Sequence, residues 1–204
     1  MTPTDETRQG LPVVAFASRD QWAAWLAEQH AASGGLWLKI AKKGSAFDSV
    51  SYAEALEVAL CYGWIDGQKG SYDDDWWLQR FGPRKPRSKW SKINRAKATE
   101  LIERGEMRPA GLREVQRAKA DGRWDAAYDA PSTATVPEDL QRELDEHETA
   151  RAFFATLDST NRYAILYRIQ DAKKPETRAR RIKQFVAMLN EQQKLYPDRQ
   201  NGHG

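Results

Sequence analysis

The sequence has very little cysteine and no long apolar run. Cys61 is the only cysteine among 204 residues, so an internal disulfide is impossible, and this usage is typical of a reducing compartment. No segment approaches the roughly 20 apolar residues that a membrane-spanning helix requires. The polar, partly acidic N-terminal stretch also lacks the apolar core of a secretory signal. We therefore expect a cytoplasmic protein without a membrane span.

Motifs that indicate catalysis or metal binding are also missing. His30, His147 and His203 are scattered and Cys61 has no second cysteine beside it, which excludes the usual clustered zinc ligands. The three aspartates at 73–75 are adjacent, but adjacent carboxylates rarely converge on one ion without further ligands. There is no GxSxG motif and no glycine-rich phosphate loop. The sequence predicts no metal and no cofactor, and it gives enzymatic activity no positive support, although scattered acid–base groups leave no motif.

Two kinds of hydrophobic pattern divide the chain. In the first part, short alternating segments such as 36–41 and 76–81 predict strands, and segments with helical spacing lie between them. In the last third, every segment has helical spacing. The sequence therefore predicts an α+β fold. A small mixed sheet with packed helices is expected at residues 11–125, followed by an all-helical region at residues 137–193. The sequence leaves open whether the second region forms a separate domain or packs with the first as one unit.

The remaining segments have the composition of linkers, turns and chain termini. Residues 126–136 are rich in Ala, Ser, Thr and Pro and are the best candidate for a linker. Residues 66–70 contain two Xaa-Gly pairs that predict turns before the second strand. The polar ends at 1–10 and 198–204 are expected to be loose.

The most distinctive stretch of the sequence combines tryptophan with positive charge. Between Trp64 and Asn94 there are four tryptophans among many basic residues, and no acidic residue lies between Trp76 and Thr99. Flexible basic tails lack aromatic residues, so we interpret this stretch as an ordered segment that presents positive charge from a packed base. It predicts a binding site for an anion, formed by Trp64, Asp66, Gln68, Trp77, Arg80, Arg84, Arg87, Lys89, Trp90 and Asn94.

Arginine suits such a site because its planar guanidinium matches a carboxylate or phosphate with two hydrogen bonds and also stacks on aromatic rings. Two prolines stiffen the segment that carries Arg84 and Arg87, which lowers the entropic cost of ordering these side chains. In the alternative interpretation the tryptophans belong to the core, Asp66 and Arg80 form an internal ion pair, and the other charges are simply solvated.

A second basic group lies near the C-terminus. Lys173, Lys174 and Arg178 flank the predicted start of the last helix. The plain interpretation is a docked helix with a basic outer face. In the alternative interpretation these residues form a secondary basic site and converge with Arg84 and Arg87 on a single concave surface.

Several segments together resemble the bacterial YdeI/OmpD-associated proteins, also described as bacteriocin-protection proteins. The resemblance is carried by GLWLKIAKKGS, SYAEALEVALCYGWIDGQ, LQRFGPRKPRSKWSKIN and AKKPETRARRI, and it extends over about residues 11–189. It implies a role in envelope stress or in tolerance of bacteriocins and antimicrobial peptides, but no established reaction. Because a basic patch repels a cationic peptide, we expect the implied protection to be indirect, through an intracellular partner or a regulatory effect.

Three functions remain open from the sequence. We expect a non-enzymatic protein that binds an anionic small molecule or an acidic protein surface. The first alternative is a single-stranded nucleic-acid binder, since bases stack on tryptophan and phosphates pair with arginine. The second alternative is an enzyme for a small anionic substrate, with Asp66 or Tyr62 as the acid–base group beside Arg80. The sequence indicates no particular oligomeric state.

Overall fold

The computed structural model describes residues 6–197, which form two compact units, one up to Ala127 and one from Tyr128 onward. Within the described residues the first unit contains β1 (Thr7–Arg8), β2 (Leu11–Ala15), α1 (Arg19–Gln29), β3 (Leu36–Ala41), α2 (Tyr52–Cys61), β4 (Trp64–Ser71), β5 (Trp76–Pro83), α3 (Lys92–Glu103) and α4 (Pro109–Ala120). The second contains α5 (Glu138–Asp145), α6 (Glu148–Thr156), α7 (Ser159–Gln170) and α8 (Pro175–Asn190). The predicted α+β class is confirmed.

The five strands form one mixed sheet in the order β1-β2-β3-β5-β4. β2 and β3 are parallel, which requires the crossover that α1 supplies, and the other neighbours are antiparallel. The register pairs Leu38 with Gln79 and Lys39 with Leu78. Because side chains alternate along a strand, Leu38 and Gln79 share one face, here called the core face, while Lys39 and Leu78 lie on the second face.

Aromatic side chains build the core between the core face and the first two helices. Trp22 of α1 is fully buried and donates its indole N–H to the carbonyl oxygen of Ala55 at 3.1 Å. Trp64 of β4 is buried as well, and its indole N–H donates to the carbonyl oxygen of His30 at 3.1 Å. A buried tryptophan usually donates its indole N–H to an acceptor, and both of these do.

The N-terminal residues are held against the second face of the sheet. Thr7 and Arg8 form β1, which pairs with β2. The Arg8 guanidinium lies 4.8 Å from the ring centroid of Trp37, and its Nη1 donates to the carbonyl oxygen of Ser71 at 2.9 Å. A cation–π contact and a hydrogen bond therefore anchor the start of the described chain.

Two predictions about local structure are wrong. Residues 6–10, which fall in the segment 1–10 that is expected to be loose, are anchored by β1, while residues 1–5 and 198–204 lie outside the described residues. Residues 66–70, expected to form turns, belong to β4. A register shift within β4 marks a β-bulge, and glycine is common in bulges as well as in turns.

The second unit is a set of four packed helices among the described residues. α6, α5 and α7 all pack against α8, whose apolar stripe buries Ile182, Val186 and Leu189. The amide oxygen of Asn190 accepts a hydrogen bond from the backbone N–H of Ala150 at 3.0 Å, which joins α8 to the first turn of α6. Within residues 6–197, no helix is both long and apolar enough to span a membrane.

The contact between α2 and α4 gives a test of the fold. A helical Gly→Ala change ordinarily stabilises by about 0.5–1 kcal/mol. At Gly111, however, an added Cβ would lie 2.7 Å from the carbonyl oxygen of Leu60 and still closer to the Cys61 carbonyl and the Met107 sulfur. We therefore expect Gly111→Ala to lower the free energy of unfolding by about 1–3 kcal/mol, measured by urea denaturation.

The matched control is Gly34→Ala, because nothing lies within 4 Å of a Cβ built at Gly34. A Gly111→Ala variant at least as stable as the parent protein would show that α2 and α4 do not approach this closely.

Candidate binding surfaces

The tryptophans of the predicted site divide into buried and half-buried ones. Trp64 and Trp90 are each 1% exposed and belong to the core of the first unit. Trp90 packs edge-on against Trp124, with ring centroids 4.9 Å apart. Trp77 is half-buried, and the ammonium nitrogen of Lys69 lies 4.4 Å from its ring centroid. The buried rings support the surface above them and do not contact solvent.

Arg84 is a packing residue, not an exposed one. It is only 6% exposed, and its guanidinium carbon lies 3.6 Å from the ring centroid of Trp90. Its Nη1 donates to the carbonyl oxygen of Lys89 at 3.2 Å, and its backbone N–H donates to the carbonyl oxygen of Gly63 at 3.0 Å. The expectation that Arg84 is displayed to a ligand is therefore wrong, because the stack on Trp90 occupies its guanidinium.

The segment between β5 and α3, together with the first residue of α3, forms a basic loop, defined here as residues 84–92. Its exposed basic side chains are Lys85, Arg87, Lys89 and Lys92. Ser88 ties the loop internally, since its hydroxyl accepts from the backbone N–H of Lys85 at 3.0 Å and its own N–H donates to the Lys85 carbonyl at 2.9 Å. Arg123, which no motif in the sequence marks, donates a guanidinium N–H to the Ser88 carbonyl at 2.6 Å. Positive side chains thus extend from a fixed backbone.

Asn94 lies just beyond the basic loop, in the first turn of α3. Its backbone N–H donates to the hydroxyl of Ser91 at 3.1 Å, so Ser91 is the N-cap of the helix. The Asn94 side chain is half-buried. This cap fixes the end of the basic loop against α3.

Asp66 and Arg80 lie on opposite faces of the sheet. Asp66 pairs with Phe81 in the β4–β5 register, and its carboxylate accepts a hydrogen bond from the hydroxyl of Tyr52 at 2.8 Å. Arg80 is exposed and pairs with Trp37 on the second face. The alternative in which Asp66 and Arg80 form an internal ion pair is therefore wrong, and so is an active site built on these two residues.

A buried glutamine explains the bulge in β4. Gln79 is 3% exposed and donates its side-chain amide N–H to the carbonyl oxygen of Gly67 at 2.8 Å. A buried amide requires partners, and the bulge provides this carbonyl. Gln68 lies in the bulge and is exposed. The sequence signal for Gln79 is a polar residue at a core-facing position of an alternating strand.

The secondary basic group lies in the second unit. The Arg178 guanidinium donates to both carboxylate oxygens of Asp139 at 2.6 and 2.8 Å and to the Ile169 carbonyl at 3.1 Å. Lys173 and Lys174 are exposed, and Lys174 is the N-cap residue of α8. Arg178 therefore joins α8 to α5 and α7. It is not the open anion contact that a secondary basic site requires.

Cys61 is a buried, free thiol. It is 5% exposed, and burial raises the pKa of its thiol to about 11. Because the thiolate is the reactive form, this thiol is a poor nucleophile at neutral pH.

Comparison with protein families assigns the two parts of the chain separately. Residues 133–192 match the model described as bacteriocin-protection, YdeI or OmpD-associated. This region belongs to the YdeI/OmpD-associated family. Residues 14–114 match a different model, a domain of unknown function (DUF8412). The resemblance expected over residues 11–189 is therefore confirmed for the YdeI/OmpD-associated region, while the Trp64–Asn94 stretch lies within the other model. Neither the curated proteins nor the solved structures gave a match.

The stacked arginine is expected to stabilise the first unit. Arg84→Ala removes a buried cation–π contact and side-chain packing on Trp90, so we expect it to lower the free energy of unfolding by about 1–3 kcal/mol. Urea denaturation measures this change. Arg87→Ala is the matched control, since Arg87 is exposed on the same loop and should change stability by less than about 0.5 kcal/mol. Equal stability of the two variants would contradict the structural role of Arg84.

The Asp139–Arg178 pair predicts a pH-dependent contribution to stability. The hydrogen bonds from Arg178 hold the pKa of Asp139 below its ordinary value. A lowered folded-state pKa means that the contribution is complete above the unfolded pKa of about 3.9 and is lost as the pH falls through the folded pKa. Asp139→Asn should therefore cost stability at pH near 7, at most about 1 kcal/mol because solvent screens the partly exposed pair.

Urea midpoints of the parent and Asp139→Asn, followed from neutral pH down to about pH 3, measure this difference. The gap between the two proteins should shrink at the acid end. Glu138→Gln is the control, because Glu138 is the exposed neighbour in the same helical turn. A gap that stays constant with pH would mean that the carboxylate charge of Asp139 contributes nothing.

Proposed function

We propose that the first unit is a non-enzymatic binding module for an acidic protein surface, and that the basic loop is its contact. The observation that carries this proposal is the arrangement of exposed Lys85, Arg87, Lys89 and Lys92 on a backbone fixed by the buried Arg84–Trp90 stack. A fixed loop loses little conformational entropy on binding. It therefore binds more tightly than a flexible tail that carries the same charges. Charges of one sign also steer an oppositely charged partner and raise the association rate.

The positions of the tryptophans favour a protein partner over single-stranded nucleic acid. Sequence-tolerant binding of single strands depends on aromatic faces that are open to the bases. Trp64 and Trp90 are buried, and Lys69 lies over the ring of Trp77. The basic loop therefore offers charge without a stacking platform, which matches the carboxylates of a folded acidic surface.

The family name of the C-terminal region suggests the setting for this interaction. The family is described as bacteriocin-protection, and we extend the proposal to a role in bacteriocin tolerance or envelope stress. A basic loop repels cationic peptides, so the protein would act indirectly, by binding an acidic protein partner in the cytoplasm.

A charge-reversal experiment tests the basic loop. A fluorescein-labelled polyglutamate peptide serves as the acidic probe, and its anisotropy reports binding to the full chain. Lys85→Glu combined with Arg87→Glu should weaken binding by about tenfold or more, because each reversal replaces an attraction with a repulsion. The matched control combines Lys43→Glu with Lys183→Glu, two exposed positions that give the same change in net charge.

The outcomes separate the candidate partners. Equal weakening by the loop variant and the control would mean that only net charge matters, which overturns the proposal. A labelled oligothymidine run in parallel tests the nucleic-acid alternative. If it binds more tightly than the peptide, with a salt dependence that the loop variant reduces, the basic loop is a nucleic-acid contact. Urea midpoints of both variants confirm that each is folded.

A further inference from the structure

A cavity in the second unit has the size and lining of a small-molecule site. Its volume is about 530 Å³, within the range of about 300–1,000 Å³ that is usual for ligand pockets. Three tyrosines, Tyr163, Tyr167 and Tyr196, form its aromatic walls, and Arg168 supplies a positive charge. The hydroxyl-bearing residues Ser159 and Thr160, from the first turn of α7, contribute polar lining.

The aromatic walls are fixed by hydrogen bonds. Asn161 is 1% exposed, and its side-chain amide donates to the carbonyl of Tyr196 at 3.1 Å and accepts from the Tyr196 N–H at 2.8 Å. The hydroxyl of Tyr163 donates to the carbonyl of Asp129 at 2.8 Å. The ring of Tyr167 packs edge-on against Tyr128 at 5.2 Å. These contacts hold the cavity open in a defined shape, so a ligand would find its walls already in place.

The charge of Arg168 has no carboxylate partner among residues 6–197. Its guanidinium donates to two neutral oxygens, the Ala164 carbonyl and the Tyr196 hydroxyl, each at 3.1 Å. Arginine pairs most strongly with an anionic, planar, two-oxygen group. A half-buried guanidinium beside tyrosine rings therefore provides both parts of a recognition site, a cation for a carboxylate and aromatic faces for a ring.

We propose that this cavity binds a small aromatic carboxylic acid, with the carboxylate on Arg168 and the ring among Tyr163, Tyr167 and Tyr196. The site is independent of the basic loop, because it is built entirely from residues of the second unit. It would give the YdeI/OmpD-associated region a ligand of its own.

Titration of the ¹⁵N-labelled full chain with benzoate, followed by NMR, tests the site. Benzoate should shift the amide resonances of α7 residues around Tyr163 and Arg168. Benzamide, which lacks the charge, and cyclohexanecarboxylate, which lacks the aromatic ring, should each bind more weakly. Arg168→Gln should weaken benzoate binding by about ten- to a hundredfold, as expected for a lost charge-assisted hydrogen bond.

Two further variants keep the test decisive. Thr160→Phe adds a ring at an exposed position that lines the cavity, and it should block benzoate if the cavity is the site. Arg180→Gln, an equal loss of charge at an exposed position of α8, should bind benzoate like the parent. The proposal is overturned if the parent shows no shifts with benzoate up to about 10 mM, if benzamide binds as tightly, or if both cavity variants keep the parent affinity.

Discussion

The stack of the Arg84 guanidinium on the Trp90 ring connects the sheet to the helices that follow it. Arg84 comes directly after β5, and Trp90 comes just before α3. Burying an arginine is costly unless its charge finds favourable contacts, and the aromatic face and the Lys89 carbonyl supply them. The chain between the two residues is thereby closed into a short loop, and the other basic side chains of this loop are exposed.

The arginines of the two units differ in the contacts that hold them. In the first unit, one buried arginine organises a loop whose other cations face solvent. In the second unit, Arg178 is neutralised by Asp139, whereas Arg168 donates only to neutral oxygens within the described residues. Within the second unit, the charge that is neutralised by a carboxylate stabilises the fold, and the charge of Arg168 is available for a ligand. This difference separates structural arginines from candidate binding arginines.

Local patterns in the sequence were sufficient to predict most of the helices and strands. The capping box at Ser51 and Glu54 starts α2 as its spacing indicates, since both hydrogen bonds of the box are formed. The alternation in residues 36–41 correctly predicts β3. The same reasoning failed at 66–70, because an Xaa-Gly pair suits a bulge as well as a turn. The bulge is accompanied by a hydrogen bond from the Gln79 side chain, on the neighbouring strand, to the Gly67 carbonyl. Nothing in the local sequence of residues 66–70 reveals that contact.

The sequence by itself determined the α+β class, the division into a sheet-containing part and a helical part, and the concentration of positive charge between Arg80 and Lys92, because these depend on spacing and composition along the chain. Only the tertiary structure decided which of those residues are buried. Arg84 and Arg87 are three residues apart and chemically identical, yet one stacks on Trp90 and the other faces solvent. Whether a side chain is buried depends on how the folded chain packs around it, so the residue type alone does not encode burial.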